Sequence, residues 1–165
     1  MTKADFADLL ARMSKRPVLA VNGRHVYLWH GWPSSLQGIM PAGLDVQLDL
    51  YALASGMQRI PRGDEAARRM LQAAIAQWLS EHAVSGRQQV VTVTGCSLLM
   101  RYGVPLVPFF QVTSEACAII FVVSPQDAPT DLPRLPQYVS VRPSATLDYL
   151  RAAIPDEAVI GDTTR

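Results

Sequence analysis

The stretch Ala118-Ile-Ile-Phe-Val-Val123 constrains what this chain can fold into more than any other. It is an unbroken apolar run rich in β-branched residues, and it closes on Ser124-Pro125, where a ladder cannot continue. A strand with one wet face alternates apolar and polar residues. This one has no polar side, so both of its faces must be covered. Val90-Val-Thr-Val93 has the same short, β-branched character. The wider apolar run, Ala116 to Val123, is too short to cross a bilayer, which takes ~20 residues.

What covers such strands is found on either side of them. Thr2 is placed to cap a helix in which Phe6, Leu9, Leu10 and Met13 repeat at helical spacing as far as Ser14. Asp64 is placed to cap the longest helix, running to about Ala83 and stopped by Ser85-Gly86. Ala67, Met70, Leu71, Ala74, Ile75, Trp78 and Leu79 form its apolar stripe, and Glu65, Arg68, Arg69, Gln72, Gln77 and Glu81 face out. Shorter helices are expected at Tyr51 to Met57, Val107 to Glu115, and from a Ser144 cap through Ala153.

Further strands are expected at Val18 to Val21 after Pro17, at Val26 to Trp29, at Leu44 to Leu50 with half-buried alternation, and at Tyr138 to Val141. Asn22-Gly23 is a strong turn signal, so the first two of these can form an N-terminal hairpin. His30-Gly-Trp-Pro-Ser-Ser35 is expected to leave the sheet, because Gly31 and Pro33 interrupt a ladder. Pro41-Ala-Gly43 reads as a turn, and Pro125, Pro129, Pro133 and Pro136 mark a loop. Strands alternating with helices predict a three-layer α/β fold: a mainly parallel sheet with helices on both faces, P-loop-NTPase-like or Rossmann-like. One domain over residues 1–160 accounts for the chain, with 161–165 expected to fray as a tail.

Composition excludes several classes. Apolar residues make up 49% and charged residues 18%, which rules out a disordered chain. A formal net charge of +1 supplies no global field for nucleic acid or an anionic membrane. The acidic N-terminal stretch, with Asp5 and Asp8, does not read as a signal peptide, so a cytoplasmic protein is expected. Cys96 and Cys117 lie in apolar surroundings and read as buried thiols. Lys3 and Lys15 are the only lysines; arginine far outnumbers them, as in many bacterial genomes.

Catalytic and cofactor signatures are missing. A phosphate loop needs a glycine-rich turn followed by a lysine and a hydroxyl, and neither lysine follows such a turn. His30 to Ser35 follows a strand but offers one glycine and a proline without an N–H. A metal-holding carboxylate is expected after a second buried strand, yet Val90 to Val93 leads into Thr94-Gly-Cys-Ser97, and no Asp or Glu lies between Glu81 and Glu115. His25, His30 and His82 lack metal-ligand spacing. Cys96 could serve as a nucleophile only in an accessible, electropositive setting. No catalytic residue, cofactor or metal is therefore expected. Two surface features stand out. Trp29, His30, Trp32 and Pro33 concentrate large apolar area in one broken segment and read either as core or as a partner interface. Arg59, Arg62, Arg68 and Arg69 gather at the start of the long helix. They could hold a phosphate or nucleic-acid backbone weakly, or form a solvated helix start with Glu65 paired to Arg68 or Arg69.

Val90-Val-Thr-Val-Thr-Gly-Cys-Ser-Leu-Leu99, Val104-Pro-Leu-Val-Pro-Phe-Phe110 and Ala118 to Pro125 together resemble the second half of small P-loop-fold proteins from bacteriophage-exclusion (BREX) defence islands. Val139-Ser-Val-Arg-Pro143 and the helix after it suit the end of an AAA-type core. The resemblance implies a degenerate member, with the fold retained and the ATPase lost; none of the family's nucleotide-binding residues has a counterpart here. It implies a non-enzymatic accessory or scaffold subunit of a larger bacterial complex, with antiphage defence as its setting and another protein subunit or a second copy as its partner. The alternative is a small-molecule or nucleotide-binding α/β domain with a non-standard site.

Overall fold

The computed structural model describes residues 1–15, 25–83, 86–125, 132, 134–135, 138–139 and 141–162. Among these residues five strands, all parallel where they pair, form one open sheet in the order β2-β3-β4-β1-β5. They are β1 (Val26–Gly31), β2 (Asp45–Asp49), β3 (Gln89–Thr94), β4 (Cys117–Val123) and β5 (Val159–Asp162). Around them lie α1 (Lys3–Met13), α2 (Pro33–Gln37), α3 (Leu50–Ser55), α4 (Asp64–His82), α5 (Ser97–Tyr102), α6 (Val107–Gln111) and α7 (Pro143–Arg151).

The apolar runs occupy the centre, as their composition demands. Every residue of β4 is buried, and β3 is buried except at Thr94. The edge strand β2 is more polar, with Gln47 and Asp49 exposed, which suits a strand with one neighbour.

Register assigns the two faces. Tyr27 lies beside Ile120 and Trp29 beside Val122, so these four share one face; Leu28 and Phe121 share the other. Phe6 of α1 packs on Tyr27 and Trp29, with ring centroids 5.2 and 6.1 Å away. Phe109 of α6 meets Phe121 edge-on at 5.0 Å on the opposite face. α4 packs against α5 and α6, and α5 against α7, which completes the second helical layer. The chain is thus the expected three-layer α/β fold.

The expected helices at Thr2 and Asp64 form, but of the three expected caps only Thr2 is one. Thr2 and Asp5 form a reciprocal capping box at the start of α1. In α4, Ala67, Leu71, Ile75 and Leu79 are buried, while Asp64 occupies the first helical position and Gly63 the cap. Arg142 likewise caps α7 in place of Ser144.

Four further expectations need correction. β1 continues through His30 and Gly31, because β5 supplies a partner for both; Pro33 opens α2 at a position where a helix needs no N–H. The helix expected over Val107 to Glu115 is only α6, and α5 precedes it. Tyr138, Val139 and Val141 lie outside any strand. The fifth strand is β5 instead, so Gly161 and Asp162 are sheet, not fraying tail. The proposed strand Val18 to Val21 and its hairpin turn fall outside the described residues.

Candidate functional site

In an open parallel sheet, ligands bind beyond the carboxyl ends of the strands, where neighbouring strands send their connections to opposite faces. That place is defined here. The link from β1 runs through α2 to the far edge strand β2, on the side of the sheet covered by α1. Gln37 of α2 donates to Asp45 at 2.8 Å, and Asp45 also accepts from Thr92, whose register neighbour Ile120 shares the Tyr27 face. The link from β4 to β5 runs through α7, which packs with α5 in the other layer. β1 and β4 are adjacent, so the switch point lies at their carboxyl ends. Gly31 and Trp32 stand there on one strand, Ser124 and Pro125 on the other. Thr94 ends β3 with Gly95 and Cys96 following it, and Asp162 ends β5.

The groups at this edge are largely committed to one another. Gly31 packs so closely on β5 that an added Cβ would lie 1.9 Å from the Asp162 carbonyl oxygen. Trp29 is fully buried, and its indole Nε1 donates to the Trp32 carbonyl at 3.2 Å, fixing the turn out of β1. After β3, Gly95 adopts φ +74°, with Tyr51 lying over it; the Tyr51 hydroxyl reaches Ser97 Oγ at 2.5 Å. Cys96 is 2% exposed and its thiol donates to the Val93 carbonyl at 3.3 Å. A thiol held as a donor under the surface is not presented for attack. Burial likewise raises the Cys117 thiol above its ordinary value, a hydrogen bond from Gln89 working in the opposite sense.

A polar cluster at this edge joins three distant parts of the chain. Lys3 Nζ lies 2.6 Å from Asp162 Oδ2 and donates to Ser35 Oγ at 2.7 Å. The Ser35 hydroxyl donates to the same Asp162 oxygen. Asp162 is 5% exposed, so its carboxylate needs these donors to be tolerated under the surface. None of the three stands out in the sequence. Lys3 and Ser35 are 32 residues apart and Ser35 and Asp162 are 127 apart, so no local spacing joins them. The one available signal is Val159-Ile160, a β-branched pair after a helix and a turn, which marks a closing strand.

The structure divides the residues singled out from sequence. Trp29 belongs to the core, because Phe6 covers it, and it cannot serve as an exposed interface residue. Trp32 and His30 are half-buried and Pro33 is exposed, so this part of the segment remains at the surface. Arg59, Arg62, Arg68 and Arg69 are all exposed. No ion pair involving them is found among the described residues. Arg101 takes Asp64 at 3.1 Å, and Glu65 does not close on Arg68 or Arg69. Among the described residues, no group of three His, Cys, Asp or Glu side chains gathers as a metal would require, and no helix is long and apolar enough to cross a membrane. Compared with known proteins, the chain finds no matching family model, no matching curated protein and no matching solved structure.

Proposed function

We propose that this chain is a non-enzymatic accessory or scaffold subunit of a larger assembly in the bacterial cytoplasm, built on a P-loop-like fold without a working nucleotide site. The setting that the sequence resemblance suggests is antiphage defence. One observation carries the reading. At the carboxyl edge, the turn after β1 is Gly31-Trp-Pro33, with one glycine, a proline lacking an N–H and no following lysine. The strand beside β4 ends in Thr94-Gly95, where a magnesium site would need a carboxylate. A fold that retains its sheet and helices without those groups is suited to presenting surface to a partner. Trp32 and Pro33 at this edge supply part of that surface.

Millimolar ATP with magnesium is expected to leave the melting temperature unchanged to within about 1 °C, since a ligand stabilises only the state that binds it. ATP turnover above a control without protein, or a stabilisation of several degrees, overturns this reading. Sedimentation of the chain alone and alongside co-purifying subunits then separates self-association from binding to another protein.

A further inference from the structure

We propose that Lys3 and Ser35 form an anion-binding site that Asp162 fills in cis, and that a phosphate-class anion enters when the end of β5 is withdrawn. The observation is a carboxylate held as a ligand is held. One oxygen, Asp162 Oδ2, accepts from both the Lys3 ammonium and the Ser35 hydroxyl. An ammonium and a hydroxyl converging on one oxygen are equally suited to a phosphate oxygen. The two donors come from separate elements, α1 and α2, and a direct hydrogen bond of 2.7 Å from Lys3 to Ser35 joins them.

Position and access support the assignment. The cluster sits at the carboxyl edge beside the β1 switch point, where open parallel sheets receive ligands. The Lys3 side chain is 40% exposed while that of Asp162 is 4% exposed, so solvent reaches the site from the lysine side once the carboxylate leaves. Asp162 stands at the end of a short edge element. Among the described residues β5 is a four-residue edge strand paired with β1, and it contributes its carboxylate from its last residue. The end of an edge strand opens at lower cost than a central one. In the closed state the internal carboxylate competes at very high effective concentration, so the intact chain takes phosphate poorly.

The inference goes beyond the scaffold reading and does not depend on it, because the intact chain is inert to ATP in both. The test uses Asp162→Ala and Asp162→Ser in the full chain, melted in inorganic phosphate and in chloride at equal ionic strength. About 10 mM phosphate should raise the melting temperature of both variants by about 3–5 °C, and that of the unsubstituted chain by less than about 1 °C. Adding Lys3→Met to Asp162→Ala should abolish the rise. Where a variant is already unfolded in chloride, recovery of its folded circular-dichroism signal in phosphate is the expected result. Absence of a phosphate-specific effect in both variants overturns the proposal, as does an equal effect when Lys3 has been replaced.

Discussion

Gly31 shows how a single residue sets the geometry of the candidate site. Its position in the sequence suggests a broken strand; its role is a close approach, since a Cβ there would meet the Asp162 carbonyl oxygen at 1.9 Å and Trp29 Nε1 at 2.9 Å. Both are held in place, one by the β1–β5 ladder and the other by the core. Gly31→Ala should therefore cost about 3 kcal/mol, at the upper end of overpacking effects, and loosen the end of β5. A variant with unchanged denaturant stability and unchanged amide exchange at Ile160 and Gly161 would refute the tight contact. Thr146 shows the opposite case. Its hydroxyl is buried and finds no hydrogen-bond partner among the described residues. Thr146→Val replaces it with a group of similar shape, so we expect stability to be unchanged or to rise by about 1 kcal/mol. A loss of more than that amount in urea unfolding would mean that the hydroxyl is satisfied. Neither residue's role is readable from the sequence. Close approach and orphaned hydroxyls depend on what lies opposite in the fold, and a single chain does not display its opposite side.

At the scale of elements, legibility follows burial. β3 and β4 can be read almost to the residue, because a strand covered on both faces must be apolar throughout. The stripe of α4 is equally plain. Errors fall where elements are short. α5 escapes sequence reading because Ser97-Leu-Leu-Met-Arg-Tyr102 offers one and a half turns, too few for a period to appear. β5 escapes it for the same reason, and the strand-like Tyr138 to Val141 outcompetes it on β-propensity alone. What fixes these short elements is tertiary contact. Tyr149 of α7 donates to the Val104 carbonyl at 2.5 Å, tying α7 to the segment between α5 and α6. Tyr149→Phe should cost about 1 kcal/mol at neutral pH. Burial holds the phenols of Tyr149 and Tyr102 above the ordinary value of 10.0, so both stay protonated when folded at a pH where the unfolded chain ionises them. Their contribution to stability is complete below pH 10.0 and is lost as pH rises through the folded-state values. The Tyr149→Phe variant lacks one of these contributions, and its deficit against the unsubstituted chain should shrink above that pH. A deficit that stays constant from neutral to alkaline pH would show that Tyr149 does not titrate differently in the two states.

For the whole molecule, the proposed scaffold role turns on which part of the surface is suited to meet a partner. Net charge does not select one, because +1 over 165 residues steers nothing strongly. Of the segment that the sequence singles out, Trp29 is spent on the core, and what remains at the surface is His30, Trp32 and Pro33. The Trp29 indole holds the Trp32 carbonyl, so the backbone beneath the second indole is fixed before any partner arrives. A large side chain on a rigid base loses little freedom on binding, which is the setting in which tryptophan contributes most to an interface. The two tryptophans should therefore separate cleanly. Trp29→Ala empties a fully buried site and should cost about 3–5 kcal/mol of stability. Trp32→Ala keeps the carbonyl that Trp29 uses, so it should change the melting temperature little while weakening association with a subunit or second copy by more than ~1 kcal/mol. Sedimentation and co-purification, run beside thermal melts of both variants, give the comparison. If Trp32→Ala melts as early as Trp29→Ala and no association defect can be separated from that loss, Trp32 belongs to the core and the proposed interface is refuted.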